Sequence, residues 1–348
     1  MLEVCRKQWT GGRVMSESSN NKVLLEIKNL QKKYPVYGPL GKLFPPKTYM
    51  NAVSDMTLQL YEGETYGLVG ESGCGKTTTG RSIIGLVKPD GGEIIYNGQD
   101  LTKLNDKEFR PLRKEIQLVF QDSLSSLSPR HRIGDILEEP LIIQGIGTKE
   151  ERREQVLEVL HKVGLPEEHY FRYPHELSGG QVQRLGIARA LMINPKLIVC
   201  DEPVSALDVS IQAQILNMLV SLQKEMNLSL LFISHDIGVV RYISHRIGVM
   251  YLGTLVEEAE TEELFANTCH PYTKALFASV PNVGPKKERK DALSGEQPVR
   301  TDEFKGCAFH TRCPYATDKC REEAPKLKEI KPGHRVACHY DKSKLDDL

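Results

Sequence analysis

Residues 70–78 read GESGCGKTT and directly follow the apolar run YGLV of residues 66–69. The stretch fits the pattern G-x-x-x-x-G-K-[S/T], whose glycines let the backbone curl so that successive N–H groups point at phosphate oxygens. A helix that begins here adds its partial positive charge. Lys76 is predicted to reach the β- and γ-phosphates of a nucleotide, and the Thr77 hydroxyl to ligate Mg²⁺. The strand before and the helical pattern after the stretch favour this phosphate-binding loop over a chance glycine-rich turn.

A second motif, LIVCDEP at residues 197–203, ends an apolar strand with two carboxylates. We expect Asp201 to bind Mg²⁺, directly or through water, and Glu202 to act as the general base that activates a water molecule. An ordinary acidic strand end is the alternative interpretation of this motif alone. It is disfavoured because a phosphate-binding loop precedes it in the same chain.

A third motif, LSGGQ at residues 177–181, precedes the helical pattern VQRLGIARAL. A serine and two glycines before a helix form a second phosphate-binding surface. Lys76 already anchors phosphates in this chain, so the second surface is expected to serve a nucleotide bound to another subunit. A simple helix cap is the alternative for this stretch.

The order of apolar and helical patterns predicts an α/β fold. Short apolar runs such as KEIQLVFQ, LSLLFISHD and HRIGVMY alternate with helical patterns near 76–86, 181–192 and 211–226. This alternation is typical of a mainly parallel sheet with helices on both faces. Residues 130–180 show only helical patterns and predict an inserted helical subdomain. Residues 35–50 contain four prolines and are predicted to be a loop.

The composition limits the class of protein. The 348 residues carry 46 basic and 46 acidic side chains, so nothing in the net charge favours a nucleic-acid partner. No stretch approaches the roughly 20 apolar residues that span a bilayer, and the N-terminus lacks the apolar core of a signal peptide. We therefore expect a cytosolic chain with reduced cysteines.

The motifs together resemble the nucleotide-binding subunit of an ATP-binding cassette (ABC) transporter. GESGCGKT is similar to that family's Walker A motif, LIVCDE to its Walker B motif and LSGGQ to its signature. Gln121 in VFQD is similar to the Q-loop glutamine, and SALD at residues 205–208 to the D-loop. His235 in FISHD is similar to the switch histidine. The resemblance implies a P-loop NTPase core with an antiparallel β edge.

In this family two subunits face head to tail, and each ATP lies between the P-loop of one subunit and the signature of the other. The resemblance implies catalytic roles for Lys76, Gln121, Glu202 and His235, and Mg²⁺ ligation by Thr77, Gln121 and Asp201. It implies ATP contacts from a larger set: Gly70, Glu71, Ser72, Gly73, Cys74, Gly75, Lys76, Thr77, Thr78, Gln121, Ser178, Gly179, Gly180, Gln181, Asp201 and Asp208.

The family also places an aromatic ring against adenine, before the P-loop. Tyr49 and Tyr34 are both candidates, because the proline-rich stretch between them obscures the register. We prefer Tyr49, which precedes a strand-like run. Either tyrosine could instead be a surface packing residue.

Three departures from an average cassette resemble the oligopeptide/dipeptide importer branch: the proline-rich insert, VFQDSLSSLSPRHRIGDILEEPL, and HPYTKALFASVP at residues 270–281 followed by cysteines. This resemblance implies a peripheral subunit on the cytoplasmic face of the membrane. Its expected partners are a second ABC ATPase subunit, usually a distinct homologue, two membrane permease subunits and an extracellular or periplasmic substrate-binding protein. Importers of nickel or glutathione, exporters, and soluble cassettes that act on DNA or ribosomes remain alternatives.

Four cysteines at 307, 313, 320 and 338 follow the pattern C-x5-C-x6-C-x17-C. Four thiolates in a short polar segment suit a soft metal centre, but the spacing lacks the C-x2-C pairs of structural zinc sites. The importer resemblance implies a [4Fe–4S] cluster held by Cys307, Cys313, Cys320 and Cys338. Zinc, with His310, His334 or His339 substituting for a thiol, and packed free cysteines are the alternatives.

The chain is thus expected to contain three parts. They are a disordered N-terminal tail (1–22), an ABC ATPase domain (23–280) with its helical subdomain at about 122–182, and a linker with a cysteine-rich, metal-binding segment (281–348).

Overall fold

The computed structural model describes residues 22–37, 45–278, 298, 301 and 305–339. The strands are β1 (Val23–Val36), β2 (Thr48–Tyr61), β3 (Thr65–Val69), β4 (Gly91–Tyr96), β5 (Gln99–Asp100), β6 (Ile116–Val119), β7 (Leu197–Asp201), β8 (Ser229–Ser234), β9 (Arg246–Tyr251), β10 (Thr254–Glu260), β11 (Lys328–Lys331) and β12 (His334–Val336). The helices are α1 (Lys76–Ile83), α2 (Asp106–Phe109), α3 (Ile133–Gln144), α4 (Lys149–Lys162), α5 (Gly179–Leu191), α6 (Val209–Met226), α7 (Ile237–Ile243), α8 (Thr261–Ala266), α9 (Pro271–Ala278) and α10 (Asp318–Glu322).

The larger sheet has eight strands in the order β11-β12-β10-β9-β3-β8-β7-β6. Strands β9, β3, β8, β7 and β6 pair in parallel, whereas β10, β12 and β11 extend the sheet in antiparallel pairing. All five residues of β3 and of β7 are buried, as expected for parallel strands covered on both faces. The predicted α/β architecture is confirmed.

Apolar side chains alternate between the two faces of this sheet. On β8, Leu231 and Ile233 join a core that includes Ile27 and Leu58 of a separate four-stranded antiparallel sheet, β2-β1-β4-β5. Their neighbours Leu230 and Phe232 join the core on the opposite face. Because successive side chains of a strand point to opposite faces, β8 packs against the antiparallel sheet on one face and against the helices on the other.

The connection between β6 and β7 is helical in the structure. Helices α3, α4 and α5, with short 3₁₀ segments at Glu167–Phe171 and Pro174–Glu176, fill this stretch. Ile136, Leu160 and Leu185 are buried together in the core of the helical face. The inserted helical region predicted for residues 130–180 is observed.

The loop predicted for residues 35–50 is wrong at both ends. Strand β1 continues to Val36 and β2 begins at Thr48, with Pro35 opposite Tyr49. Strand β1 also pairs with β4, but that pairing stops at Gln31. Among the described strands, Pro35 therefore has one neighbour, β2, which is an edge position where the missing N–H of proline is tolerated. Residues 38–44 lie outside the described residues.

The cysteine-rich segment packs against the nucleotide-binding core. Strand β12 pairs with β10 through Val336 and Glu257, and Cys307, Phe309 and Cys320 belong to the large core of the helical face. The segment thus uses the apolar core of the preceding domain. The predicted N-terminal tail, apart from Lys22, and most of the predicted linker (281–305) lie outside the described residues.

His334, at the start of β12, lies between two carboxylates. Its Nε2 is 2.9 Å from Glu257 Oε1, and its Nδ1 is 3.3 Å from Glu263 Oε1. Burial alone would lower the pKa of His334, but the hydrogen bonds and charges of Glu257 and Glu263 outweigh it and raise the pKa. Charged His334 therefore helps to hold β12 against β10 and α8.

Within the described ranges, no helix is both long enough and apolar enough to cross a membrane.

The contribution of His334 to stability should depend on pH. Its pKa is raised on folding, so the contribution is complete below the unfolded-state pKa of about 6.5 and is lost as pH rises through the folded value. We expect His334→Gln to lower the melting temperature most at about pH 6 and least above pH 8. Thermal unfolding of the variant and of an exposed control, His161→Gln, across this range measures the difference. A difference that stays constant or grows with pH would contradict this role.

Candidate nucleotide-binding site

The loop of residues 70–75 joins the buried strand β3 to helix α1. Gly75 has φ of 105°, and a Cβ at this position would lie 2.1 Å from the carbonyl oxygen of Ala52. Only glycine fits, because a side chain would be strained by the backbone angle and would overlap the neighbouring backbone. The sequence therefore forms a tight loop whose N–H groups lie at the start of a helix.

Lys76, the first residue of α1, is 4% exposed. Its Nζ donates to the carbonyl oxygens of Gly70 at 2.8 Å and Glu71 at 2.9 Å. The ammonium group thus lies inside the loop that is predicted to bind phosphates. To donate to a phosphate oxygen, the ammonium must give up at least one of its present acceptors, which also include Cys74 Sγ at 3.7 Å.

The two side chains expected to share Mg²⁺ contact each other. The Thr77 hydroxyl on α1 donates to Asp201 Oδ1, at the end of β7, over 2.8 Å. Burial raises the pKa of Asp201 despite this hydrogen bond and the nearby Arg81. A hydroxyl and a buried carboxylate at one edge of the sheet are suitable donors for Mg²⁺. Gln121, the third predicted ligand, lies beside Glu202.

The predicted catalytic residues Gln121, Glu202 and His235 meet at the same edge. Gln121 Nε2 donates to Glu202 Oε2 at 2.9 Å, and His235 Nδ1 is 3.2 Å from Glu202 Oε1. Glu202 has φ of 49°, an uncommon backbone angle for a residue with a side chain. This strained position directs a carboxylate between an amide and an imidazole, a geometry suited to a general base for water.

The signature residues form the start of α5. The Ser178 N–H donates to Gln181 Oε1 at 2.9 Å, and Asp208 is the N-cap residue of α6. A Cβ on Gly180 would lie 2.5 Å from the side chain of Ile211, so this glycine allows the close approach of α5 and α6. The segment therefore acts as a helix cap in the structure, and its role toward a second subunit stays a prediction.

Tyr34 and Tyr49 lie on the paired strands β1 and β2, with Tyr34 opposite Met50 and Pro35 opposite Tyr49. The Tyr49 side chain is 41% exposed. The Lys32 Nζ lies over the Tyr34 ring, 5.6 Å from its centroid. Tyr49 is the more exposed of the two, but the ring that stacks on adenine stays a prediction.

All four C-terminal cysteines line one small pocket, together with His310 and His339. Burial and the neighbouring thiols of Cys338, Cys307 and Cys320 raise the pKa of Cys313 to about 11. A bound metal cation would stabilise cysteines this close together in their deprotonated form. Of the three histidines considered for zinc, His334 is instead bound between Glu257 and Glu263.

Two interactions were missed by the sequence analysis. The Arg312 guanidinium, next to Cys313, contacts the Glu71 carboxylate of the phosphate-binding loop at 2.8 Å. Glu257 accepts hydrogen bonds from the N–H groups of Cys269 and His270 as well as its contact with His334. The Arg312–Glu71 and His334–Glu257 contacts join residues 241 and 77 positions apart in sequence, so no local spacing pattern identifies them.

Comparisons with protein families match two parts of the chain. The family described as ABC transporter matches residues 53–205. The family described as oligopeptide/dipeptide transporter, C-terminal region, matches residues 256–320. The second match includes Cys307, Cys313 and Cys320.

Curated relatives resemble nearly the whole chain. The oligopeptide transport ATP-binding protein AppF of Bacillus subtilis is 49% identical over 92% of this chain and 98% of its own. OppF of Salmonella typhimurium, with the same description, is 50% identical over 91% of this chain and 96% of its own.

Solved structures resemble the nucleotide-binding part. The dimeric bacterial ABC transporter cassette MJ0796 is 33% identical, with a TM-score of 0.61 over 68% of this chain and 99% of its own. CbiO1 of Clostridium perfringens, part of an ABC transporter complex, is 26% identical, with a TM-score of 0.61 over 71% of this chain and 92% of its own.

The geometry around Glu202 predicts that this carboxylate is needed for ATP hydrolysis but not for ATP binding. Glu202→Gln keeps the size and hydrogen bonding of the side chain but removes its basicity. We expect ATP affinity near that of the unaltered chain and hydrolysis at least about 100-fold slower, the usual contribution of a general base. Equilibrium ATP binding and phosphate release measure the two effects.

Glu225→Gln, an exposed change on α6, is the matched control and should retain full turnover. Normal turnover in Glu202→Gln would exclude this carboxylate as the base.

Proposed function

The chain belongs to the ABC transporter family of ATPases, and we propose that it binds and hydrolyses ATP to drive oligopeptide import through a membrane permease. One observation carries the proposal. A match to the ABC transporter family and a match to the C-terminal region of oligopeptide/dipeptide transporters occur in the same chain. Three relatives that match over nine-tenths of the chain are described as oligopeptide transport ATP-binding proteins.

Hydrolysis would use the residues gathered at the carboxyl edge of the sheet. The loop N–H groups and Lys76 would hold the β- and γ-phosphates of ATP. Thr77, Asp201 and Gln121 would hold Mg²⁺, which neutralises phosphate charge when bound. Glu202 would accept a proton from the attacking water, while Gln121 and His235 orient its carboxylate. Phosphoryl transfer requires mainly such positioning and charge stabilisation.

A second ABC ATPase subunit would complete each site. The P-loop of one subunit and the Ser178–Gln181 segment of the other would enclose one ATP. The dimeric state of the similar cassette MJ0796 supports this arrangement. We propose that the second subunit is a related but distinct chain. This chain would contribute its P-loop to one ATP site and its signature segment to the other.

The permease would bind beside the Q-loop on the cytoplasmic side of the membrane. Several large apolar side chains near the Q-loop or on the helical region are exposed: Phe120, Leu124, Ile142, Ile143 and Phe171. Ser123 donates a buried hydrogen bond to Gln183 Oε1 on α5 at 2.9 Å, which connects the Q-loop to the signature helix. Movement of a docked permease helix would thus displace the Q-loop and, through this hydrogen bond, the signature helix α5. The peptide itself would be selected by the permease and an external binding protein.

The four-cysteine pocket would hold a [4Fe–4S] cluster. Cys307, Cys313, Cys320 and Cys338 supply the four thiolates that such a cluster requires, and they face one enclosed space. The pocket lies against the main core, so a cluster would stabilise the fold of the C-terminal segment. Zinc bound by the same thiols with His310 or His339 is the alternative.

Peptide uptake tests the transport proposal. In cells that depend on the full importer, Lys76→Ala should abolish uptake of a labelled oligopeptide, because the loop loses the ammonium group that holds phosphates. Lys326→Ala, an exposed lysine of the C-terminal segment, should leave uptake unchanged. Undiminished uptake with Lys76→Ala would contradict the proposal. Loss of nickel uptake with intact peptide uptake would assign the chain to another solute.

Metal analysis after anaerobic purification tests the cluster. We expect about four iron and four sulfide per chain, as the four-thiolate site implies, with loss of both in Cys313→Ser. Cys5→Ser, far away in sequence, should retain them. One zinc per chain would show that the cysteines form a zinc site and not a cluster. The absence of any bound metal would contradict a metal centre.

A further inference from the structure

Arg312 and Glu71 form a two-pronged ion pair between the cysteine-rich segment and the phosphate-binding loop. Arg312 Nη1 donates to Glu71 Oε2 at 2.8 Å, and Nη2 donates to Oε1 at 3.1 Å. The side chains are 7% and 24% exposed, so solvent screens the pair less than an ordinary surface pair. Paired N–H groups of arginine fix a carboxylate in direction as well as in distance.

Glu71 is also fixed through its backbone. Its N–H donates to the Tyr272 hydroxyl at 3.0 Å, and its carbonyl oxygen accepts from Lys76 Nζ at 2.9 Å. Tyr272 in turn packs on Tyr251 and Phe309 of the core. The position of Glu71 thus determines where the carbonyl that holds Lys76 lies, and Arg312 contributes to that position.

The contact between Arg312 and Glu71 would affect ATP binding because Glu71 carries a negative charge. ATP is highly anionic, and a carboxylate on the loop that binds its phosphates repels it. The Arg312 guanidinium balances that carboxylate. An ion pair that only attached the C-terminal segment to the domain would not need to lie on the phosphate-binding loop.

We propose that Arg312 is a positioning residue for ATP: by pairing with Glu71, it neutralises and orients the phosphate-binding loop. The inference rests on the proposed binding of ATP at Lys76 and is independent of any metal at the cysteines. Because Arg312 directly precedes Cys313, rearrangement of the cysteine-rich segment would change ATP affinity. By thermodynamic reciprocity, ATP binding would also stabilise the docked segment.

A charge-removal cycle tests this inference. The affinity of the full chain for a non-hydrolysable ATP analogue with Mg²⁺ is measured by calorimetry for Arg312→Gln, Glu71→Gln and the double variant. Arg312→Gln should weaken binding by about tenfold, within the usual range of coupling between sites. The double variant should bind more tightly than Arg312→Gln alone, because no unpaired carboxylate then faces the phosphates. A purely structural contact would give no such recovery.

Two further variants complete the design. Arg321→Gln removes an exposed arginine of the same segment, paired with Asp318 at 3.2 Å, and should keep the affinity of the unaltered chain. Arg312→Lys keeps the charge but loses the paired geometry, so its affinity should be intermediate even if Arg312→Gln fails to fold. Unchanged affinity in both Arg312 variants, or a double variant no better than Arg312→Gln, would overturn the inference. No binding by the unaltered chain would refute the proposed ATP site as well.

Discussion

Parallel pairing of β3, β7 and β8 is the constraint on which the site depends. Val69 pairs with Ser234, and Asp201 with Ile233, so the three strands end together at one edge of the sheet. Each strand is followed or ended by one predicted motif: the loop of residues 70–75 after β3, the acidic pair Asp201 and Glu202 at the end of β7, and His235 after β8. The Thr77–Asp201 and Glu202–His235 contacts follow from this register. A shift of one residue in any strand would reverse its buried faces and separate the motifs.

Residues whose position depends on local backbone geometry could be placed from the sequence. Gly75 ends the loop of residues 70–75, and Lys76 and Thr77 begin helix α1. The apolar strand before Asp201 identifies the place of this residue at the sheet edge. The helices near 76–86, 181–192 and 211–226 were predicted to within a few residues at each end. In these segments the local hydrophobic period and the tertiary packing favour the same structure.

Features that depend on distant partners could not be predicted. Arg312 and Glu71 are 241 residues apart, and nothing near either residue in the sequence indicates the pairing. Strand β1 continues through Pro35 because, within the described part of the chain, one side of the strand is paired there, and proline content alone does not reveal this. The spacing of the cysteines does not reveal how their segment packs: Phe309 joins the core of the ATPase domain, and Val336 pairs with its sheet. That attachment makes the segment part of the surroundings of the phosphate-binding loop.

A structure of the full-length Glu202→Gln variant with Mg²⁺ and ATP would test the proposed ATP site at the sheet edge. We expect the γ-phosphate at the loop of residues 70–75, Lys76 Nζ donating to phosphate oxygens, and Mg²⁺ beside Thr77 and Asp201. In the complex with the second ABC ATPase subunit, we also expect the signature segment of that subunit against the same nucleotide. ATP bound elsewhere, or a bound ATP to whose phosphates Lys76 Nζ does not donate, would contradict the proposed site.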